Sequence, residues 1–135
     1  MLGKILDYLR RKARPLDKGQ LGHHGEQLAA QHLKQHDYVI IAKNFRNALG
    51  EIDLVALKED TLVFLEVKTR EKELSFGRPA SAVTTEKQKR IRRMAEVFIK
   101  MKPAIQWNTC RFDVVEVITD ACGNLVEINH IKSAF

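Results

Sequence analysis

Cysteine is nearly missing from this chain. Cys110 and Cys122 stand alone, too few for a disulfide framework and without the spacing of a metal site. Free thiols in a reducing compartment are therefore expected. Long apolar runs are missing too: none approaches the roughly 18 residues that a membrane span needs. From Met1 to Leu9 the apolar residues are interrupted by Lys4 and Asp7, so no signal-peptide core forms there. There is no internal repeat and no low-complexity tract. These absences exclude a disulfide scaffold, a membrane-spanning helix and a repeat array, and they predict a cytoplasmic protein.

What is present suffices for one hydrophobic core. A chain of 135 residues, 44% hydrophobic and 30% charged, has the size and composition of a single globular domain. Its net charge of +6 is segregated. Residues 1–19 carry six basic residues (Lys4, Arg10, Arg11, Lys12, Arg14, Lys18) against Asp7 and Asp17. Residues 87–102 carry seven (Lys87, Lys89, Arg90, Arg92, Arg93, Lys100, Lys102) against Glu96, and the remaining segments are net acidic. Such segregation points to a polyanionic partner, with nucleic acid first and an anionic membrane second. A solvated helix face plus a disordered tail would give the same pattern.

Residues 1–19 read as a basic tail or short amphipathic helix, with Leu2, Ile5, Leu6 and Leu9 at helical spacing until Pro15 breaks it. The domain proper is expected over 20–135. Leu21, Leu28, Ala29 and Leu33 predict a helix from Gln20 to about Gln35. Tyr38–Ala42 reads as a strand and Asn44–Gly50 as a turn-rich connection. Glu51–Leu57 and Thr61–Thr69 read as two strands joined by Lys58-Glu59-Asp60. After a loop over 70–83 containing Gly77 and Pro79, Thr85 and Gln88 have capping-box spacing. They open a helix to about Met101 with Ile91, Met94, Ala95 and Phe98 inward. Arg111–Thr119 and Leu125–Ile131 close the chain as strands around a turn at Gly123. The order α-β-β-β-α-β-β predicts an α/β fold, a mixed sheet with helices on its faces.

Two central strands carry charge where strands buried on both faces are usually apolar. Period two predicts Glu51 and Asp53 on one face, with Ile52, Leu54 and Ala56 on the other. It likewise puts Glu66 and Lys68 with Leu62 and Phe64, against Val63, Leu65 and Val67. Half-buried charges cost several kcal/mol each, in rough terms, unless they are paired. Two readings follow: a structural cluster in which Lys68 neutralises Asp53 or Glu66, or a divalent cation held by Asp53 and Glu66 with Lys68 beside it. A small set of hard oxygen ligands with room for water and phosphate suits Mg²⁺. On the first helix, Glu26 lies beside the inward stripe after Gly22 and Gly25, which permit close backbone approach. It reads either as a helix-dipole partner or as a further metal ligand.

In order, the chain shows Gly22-x-x-Gly25-Glu26, Asn44-Phe-Arg46, Gly50-Glu-Ile-Asp53, Phe64-Leu-Glu-Val-Lys-Thr-Arg70, Phe76-Gly77, Lys87 or Lys89, and Arg111-Phe-Asp-Val-Val115. This pattern, over about residues 20–118, resembles the YraN-like bacterial family. That family in turn resembles the PD-(D/E)xK nucleases, which include restriction endonucleases and Holliday-junction resolvases. The resemblance implies a restriction-endonuclease-like α-β-β-β-α-β core. It implies Asp53, Glu66 and Glu26 as acids binding Mg²⁺ or Mn²⁺, and Lys68 as the catalytic lysine. The superfamily's proline before the aspartate is replaced by Ile52, and Glu51 precedes it without an assigned role.

Glu51, Gln88 and Lys87 are accessory candidates, the last two one turn before Ile91. Lys89, Arg90, Arg92, Arg93 and Arg70 are candidates for the nucleic-acid backbone. The histidines lack ligand spacing and read as surface residues; Trp107, Phe112 and Tyr38 read as core or rim. The leading expectation is a metal-dependent endonuclease on DNA, branched DNA included, with a homodimer suggested by the resolvase resemblance. The alternative is a non-catalytic nucleic-acid-binding protein of the same fold.

Overall fold

The computed structural model describes residues 2–5, 16–74 and 83–135 of the chain. The basic run at 10–14 and the Phe76-Gly77 and Pro79 stretch, both named above, lie outside the described residues.

Helix α1 spans Lys18–Gln35. Asp17 opens it with a reciprocal cap: its carboxylate accepts from the Gln20 N–H at 2.8 Å, and the Gln20 side chain accepts from the Asp17 N–H at 3.1 Å. Strand β1 covers Val39–Asn47, β2 Gly50–Lys58 and β3 Thr61–Glu71. A short 3₁₀ turn, Lys72–Leu74, follows. Helix α2 spans Thr85–Met101, then β4 covers Thr109–Thr119 and β5 Leu125–Ile131. The strands lie in sequence order, antiparallel except for β3 and β4, which run parallel with α2 as the crossover. This is the mixed α/β sheet flanked by helices that the pattern predicted, compatible with a restriction-endonuclease-like core.

Several boundaries differ from expectation: α1 begins at Lys18 rather than Gln20, β3 runs to Glu71 and a 3₁₀ turn follows where a loop from residue 70 was expected, and β4 begins at Thr109 rather than Arg111. Two further differences have a clear cause. Strand β1 runs on through Lys43, Asn44 and Arg46 as far as the Asn47↔Gly50 pair, leaving only Ala48 and Leu49 as the turn. β1 is an edge strand, so polar residues that would be excluded from a central strand are tolerated there. The cap of α2 is Thr84, whose hydroxyl accepts from the Lys87 N–H at 3.2 Å. Thr84 and Thr85 are equally competent caps by type, and the helix begins one residue earlier in its capping frame than the Thr85–Gln88 spacing suggested.

The sheet is buried on both faces. Ala29, Ala30 and Leu33 of α1 pack with Leu54, Ala56, Val63, Leu65, Val115 and Val117. Ile91, Met94, Ala95 and Phe98 of α2 pack with Ile52, Val55, Leu62 and Phe64. Phe98 sits edge-on to both Phe45 and Phe64, with centroids 5.3 and 5.8 Å away, a favoured aromatic geometry. Each fully buried large side chain contributes about 1.5–3 kcal/mol to holding its helix to the sheet. Tyr38 is core at 5% exposed, while Trp107 is rim at 37%.

The expectation of surface histidines fails at two positions. The ring of His130 is nearly buried and bonds Asp113 at 2.7 Å. That of His24 is partly buried and bonds the Gly123 carbonyl at 2.8 Å. Metal spacing was the wrong criterion, because a single buried partner is enough to draw a histidine inside.

Candidate active site

β2 and β3 pair from Lys58↔Thr61 to Leu54↔Leu65 and then stop. One residue beyond the last rung, the Asp53 side chain takes over: its Oδ2 accepts from the Val67 N–H at 2.8 Å. A carboxylate thus replaces a main-chain acceptor where the two strands part. Alternation also breaks here. Ile52 belongs to the α2-side core while Leu54 and Ala56 belong to the α1-side core, so the single face predicted for all three is corrected. The break lies between the pairs Lys43↔Leu54 and Phe45↔Ile52, opposite Asn44, whose backbone is left-handed at φ 51°. Asparagine is among the few residues that accept that conformation readily.

The same Asn44 ties two acids together. With its amide assigned so that the NH₂ rather than the oxygen faces the two carboxylates, it donates to Glu26 Oε2 at 3.0 Å and to Glu51 Oε1 at 2.6 Å, and Arg46 Nε lies 3.2 Å from Glu51. Glu26 approaches the sheet because Gly25 precedes it. A Cβ on Gly25 would lie 2.8 Å from the Cβ and Cγ2 of Thr69 and nearer still to its hydroxyl, so only glycine lets α1 dock this close. Glu26 is two turns inside α1, beyond the first turn where a helix dipole acts. The dipole reading of Glu26 is therefore set aside.

Carboxylate oxygens of Glu26, Glu51 and Asp53 all lie within 4.8 Å of one another. Oxygens sharing one hard cation are separated by at most about 4.2 Å for Mg²⁺ and about 5.2 Å for Ca²⁺, so the 4.8 Å limit brackets what one divalent ion requires. Burial, joined by the charges of Glu26, Glu66 and Glu51 and opposed by the Val67 N–H, pushes the Asp53 carboxyl up to about 7. Burial and then Glu51 raise Glu26. These acids repel one another.

Glu66 comes from the next strand. β3 keeps an unbroken parallel register with β4, so Glu66 and Lys68 do share the face of Leu62 and Phe64. The Glu66 side chain is only 14% exposed and pairs through Oε1 with Lys87 Nζ of α2. Its second oxygen, Oε2, is buried without a hydrogen-bond partner among the described residues. An all-oxygen donor set with one orphaned buried oxygen is what a hard divalent cation would complete. Glu51, Asp53, Glu66, Lys87 and Arg90 line one cleft of about 230 Å³. That is smaller than the roughly 300–1,000 Å³ of pockets for drug-sized ligands. Lys68 is partly buried one strand period past Glu66, opposite Glu116 in register, and outside the cleft lining.

The other candidates divide. Lys87 reaches the site, whereas the Gln88 amide donates to the Val83 carbonyl at 2.9 Å and serves its own helix end. Lys89, Arg90 and Arg93 line an open groove with Ala48, Leu49 and Glu86, and Arg90 belongs to both groove and cleft. Arg92 stacks over Phe112 and Phe135, 4.7 and 5.6 Å from their centroids. Arg70 Nε lies 3.7 Å from Glu116.

Sequence reasoning assigned no role to Asn44 or to the buried Asp113. Asp113 accepts from Arg111 Nε at 2.9 Å, the Ser133 N–H at 2.9 Å and His130 at 2.7 Å, and Arg111 reaches the Tyr38 hydroxyl at 2.8 Å. Burial raises the Asp113 carboxyl, but the bonds from His130, Arg111 and Ser133 together hold it below the usual range. The available signals were Arg111 two residues before Asp113 on one strand face, and an asparagine beginning Asn44-Phe-Arg46.

Comparison with known proteins finds consistent relatives. The family described as uncharacterised protein family UPF0102 matches residues 25–117. A UPF0102 protein of Caldicellulosiruptor saccharolyticus is 43% identical over 122 residues, 89% of this chain and 100% of that protein. One from Caldicellulosiruptor bescii is 47% identical over 116 residues, 86% and 97%. One from Nocardia farcinica is 45% identical over 123 residues, 91% and 94%.

Proposed function

Because this chain belongs to the uncharacterised protein family UPF0102, its chemistry has to be read from its own site, and we propose a divalent-metal-dependent endonuclease that hydrolyses phosphodiester bonds in DNA. The observation that carries this reading is the convergence of Glu26, Glu51 and Asp53 beside Glu66, whose Oε2 is buried and unpartnered. Glu26, Asp53 and Glu66 would hold Mg²⁺ or Mn²⁺, with Glu51 as a fourth acid at the mouth. The ion, when bound, supplies Lewis acidity that lowers the pKa of water and offsets charge developing on phosphate.

The chain's own groups do the rest. Asp53 is oriented by the Val67 N–H, and Asn44 sets the relative positions of Glu26 and Glu51. Lys68 would orient the attacking water or stabilise the negative charge of the transition state. Lys89, Arg90 and Arg93 continue the cleft outward as a track for backbone phosphates, which fixes position without reading bases. Arg92 and Arg70, already engaged with aromatic rings and Glu116, would add charge at the rim. No helix among the described residues is long and apolar enough to cross a membrane. A homodimer acting on two-fold, branched DNA belongs to the same proposal, and sedimentation of the full chain tests it.

One observation favours a second reading: Lys87 pairs with Glu66 and Arg46 with Glu51, as in a structural cluster on a DNA-binding module. Cleavage assays separate the two. Branched, single-stranded and duplex DNA would be incubated with Mg²⁺ or Mn²⁺ and wild type, Asp53→Ala or Lys68→Ala. Cleavage confined to wild type is expected; activity surviving both substitutions overturns the assignment.

A further inference from the structure

The cleft has two walls of opposite sign. Glu51, Asp53 and Glu66 stand on the sheet side, and Lys87 and Arg90, one turn apart on α2, stand on the other. Lys87 bonds only one oxygen of the Glu66 carboxylate: Oε1 is paired, and Oε2 is buried without a hydrogen-bond partner among the described residues. The lysine side chain is itself 43% exposed and sits in the first turn of α2 with its N–H held by Thr84. Its root is therefore fixed while its long stem is free to turn toward the cleft mouth.

A cation entering beside Asp53 and Glu66 changes what Lys87 meets. The ion takes the carboxylate charge that Lys87 now shares, and leaves the ammonium next to a like charge. In a half-buried cleft, where charges interact more strongly than in water, that position is unfavourable unless an anion enters. A backbone phosphate lying between the ion and α2 supplies that anion.

Resting on the metal-site reading above, we infer that Lys87 is an exchange residue: it holds Glu66 in the metal-free protein and passes to a DNA phosphate when a divalent cation takes Glu66. Metal and DNA binding are then coupled, each tightening the other by the same factor, as linkage requires. Lys87 competes with the ion when DNA is absent and cooperates with it when DNA is present. A lysine with a purely structural role would do neither.

The test is Mn²⁺ titration by calorimetry at pH 8, using full-length wild type, Lys87→Met, Lys87→Gln and Arg90→Met. Without DNA, both Lys87 variants are expected to bind Mn²⁺ about fivefold more tightly than wild type, the scale of one partly exposed ion pair. Arg90→Met, which removes an equal charge from the same wall but no carboxylate partner, is expected to stay within about twofold. The titrations are repeated with a short duplex in a Lys68→Ala background to prevent cleavage. The tightening caused by DNA should then be clearly smaller in Lys87→Met than in its parent. Equal or weaker Mn²⁺ binding by both Lys87 variants overturns this inference while leaving the metal site intact. An equal gain in Arg90→Met also overturns it, because the effect would then be one of general charge. Failure of wild type itself to bind Mn²⁺ overturns the metal reading beneath.

Discussion

Asp53→Asn should make the metal-free protein more stable at alkaline pH, although it removes a group central to the site. The Asp53 carboxyl is pushed from 3.8 to about 7 by burial and by Glu26, Glu66 and Glu51. Below about pH 4 it is protonated in both folded and unfolded chains, and no penalty arises. Between pH 4 and 7 the unfolded chain ionises while the folded one resists, so stability falls steadily. Above 7 both are ionised and the loss is complete. Three units at about 1.4 kcal/mol each give roughly 4 kcal/mol. The amide keeps an acceptor for the Val67 N–H but gives up a charge-assisted bond, so the net gain at pH 8 is about 2–4 kcal/mol. Urea unfolding in EDTA at pH 4 and pH 8 measures it, with the two proteins expected within about 1 kcal/mol at pH 4. Saturating Mn²⁺ should then reverse the order at pH 8, because only wild type gains binding energy. A stability gap that is the same at both pH values, or a variant less stable at pH 8 without metal, refutes the reasoning.

Three further outcomes are expected. Gly25→Ala should destabilise by about 1–3 kcal/mol through overpacking against Thr69, and Thr69→Ala should restore part of this in the double variant; additive losses in the thermal melts would contradict the contact. Thr84→Ala should cost about 1 kcal/mol and Thr85→Ala much less, since only Thr84 caps α2; equal losses on urea unfolding would move the cap. Asp113→Asn should cost about 3 kcal/mol at neutral pH by stranding Arg111 and His130. Because the Asp113 carboxyl is depressed, that contribution exists above about pH 4 and fades as pH falls below it, so the variant and wild type should converge in acid unfolding.

How far the site could be read from sequence depended on whether the backbone stayed regular. β3 holds one register along its whole length against β4, so period two placed Glu66 and Lys68 correctly. Glu26 was legible because the glycine beside it is unusual in a helix and the apolar stripe fixed its direction. Asp53 was identified as a member but not oriented: the left-handed turn at Asn44 shifts alternation at the residue that matters. Lys87 was only half legible, since helical periodicity puts it near the sheet but does not name Glu66 as its partner. Asp113 was hidden inside an apolar strand, where its partners lie far away in sequence at His130 and Ser133.

The acids of the candidate site come from three places in the chain: Glu26 from α1, beside the cleft, Glu51 and Asp53 from β2, and Glu66 from β3. In a protein whose two thiols are both exposed, these acids would make, with a cation bound, the nearest equivalent of a removable cross-link. Left alone, their mutual repulsion works to prise helix from sheet along the seam that Gly25 closes. Any cation that joins them closes two chain loops at once, so the strength of the tertiary fold here would rise and fall with the supply of a counter-ion.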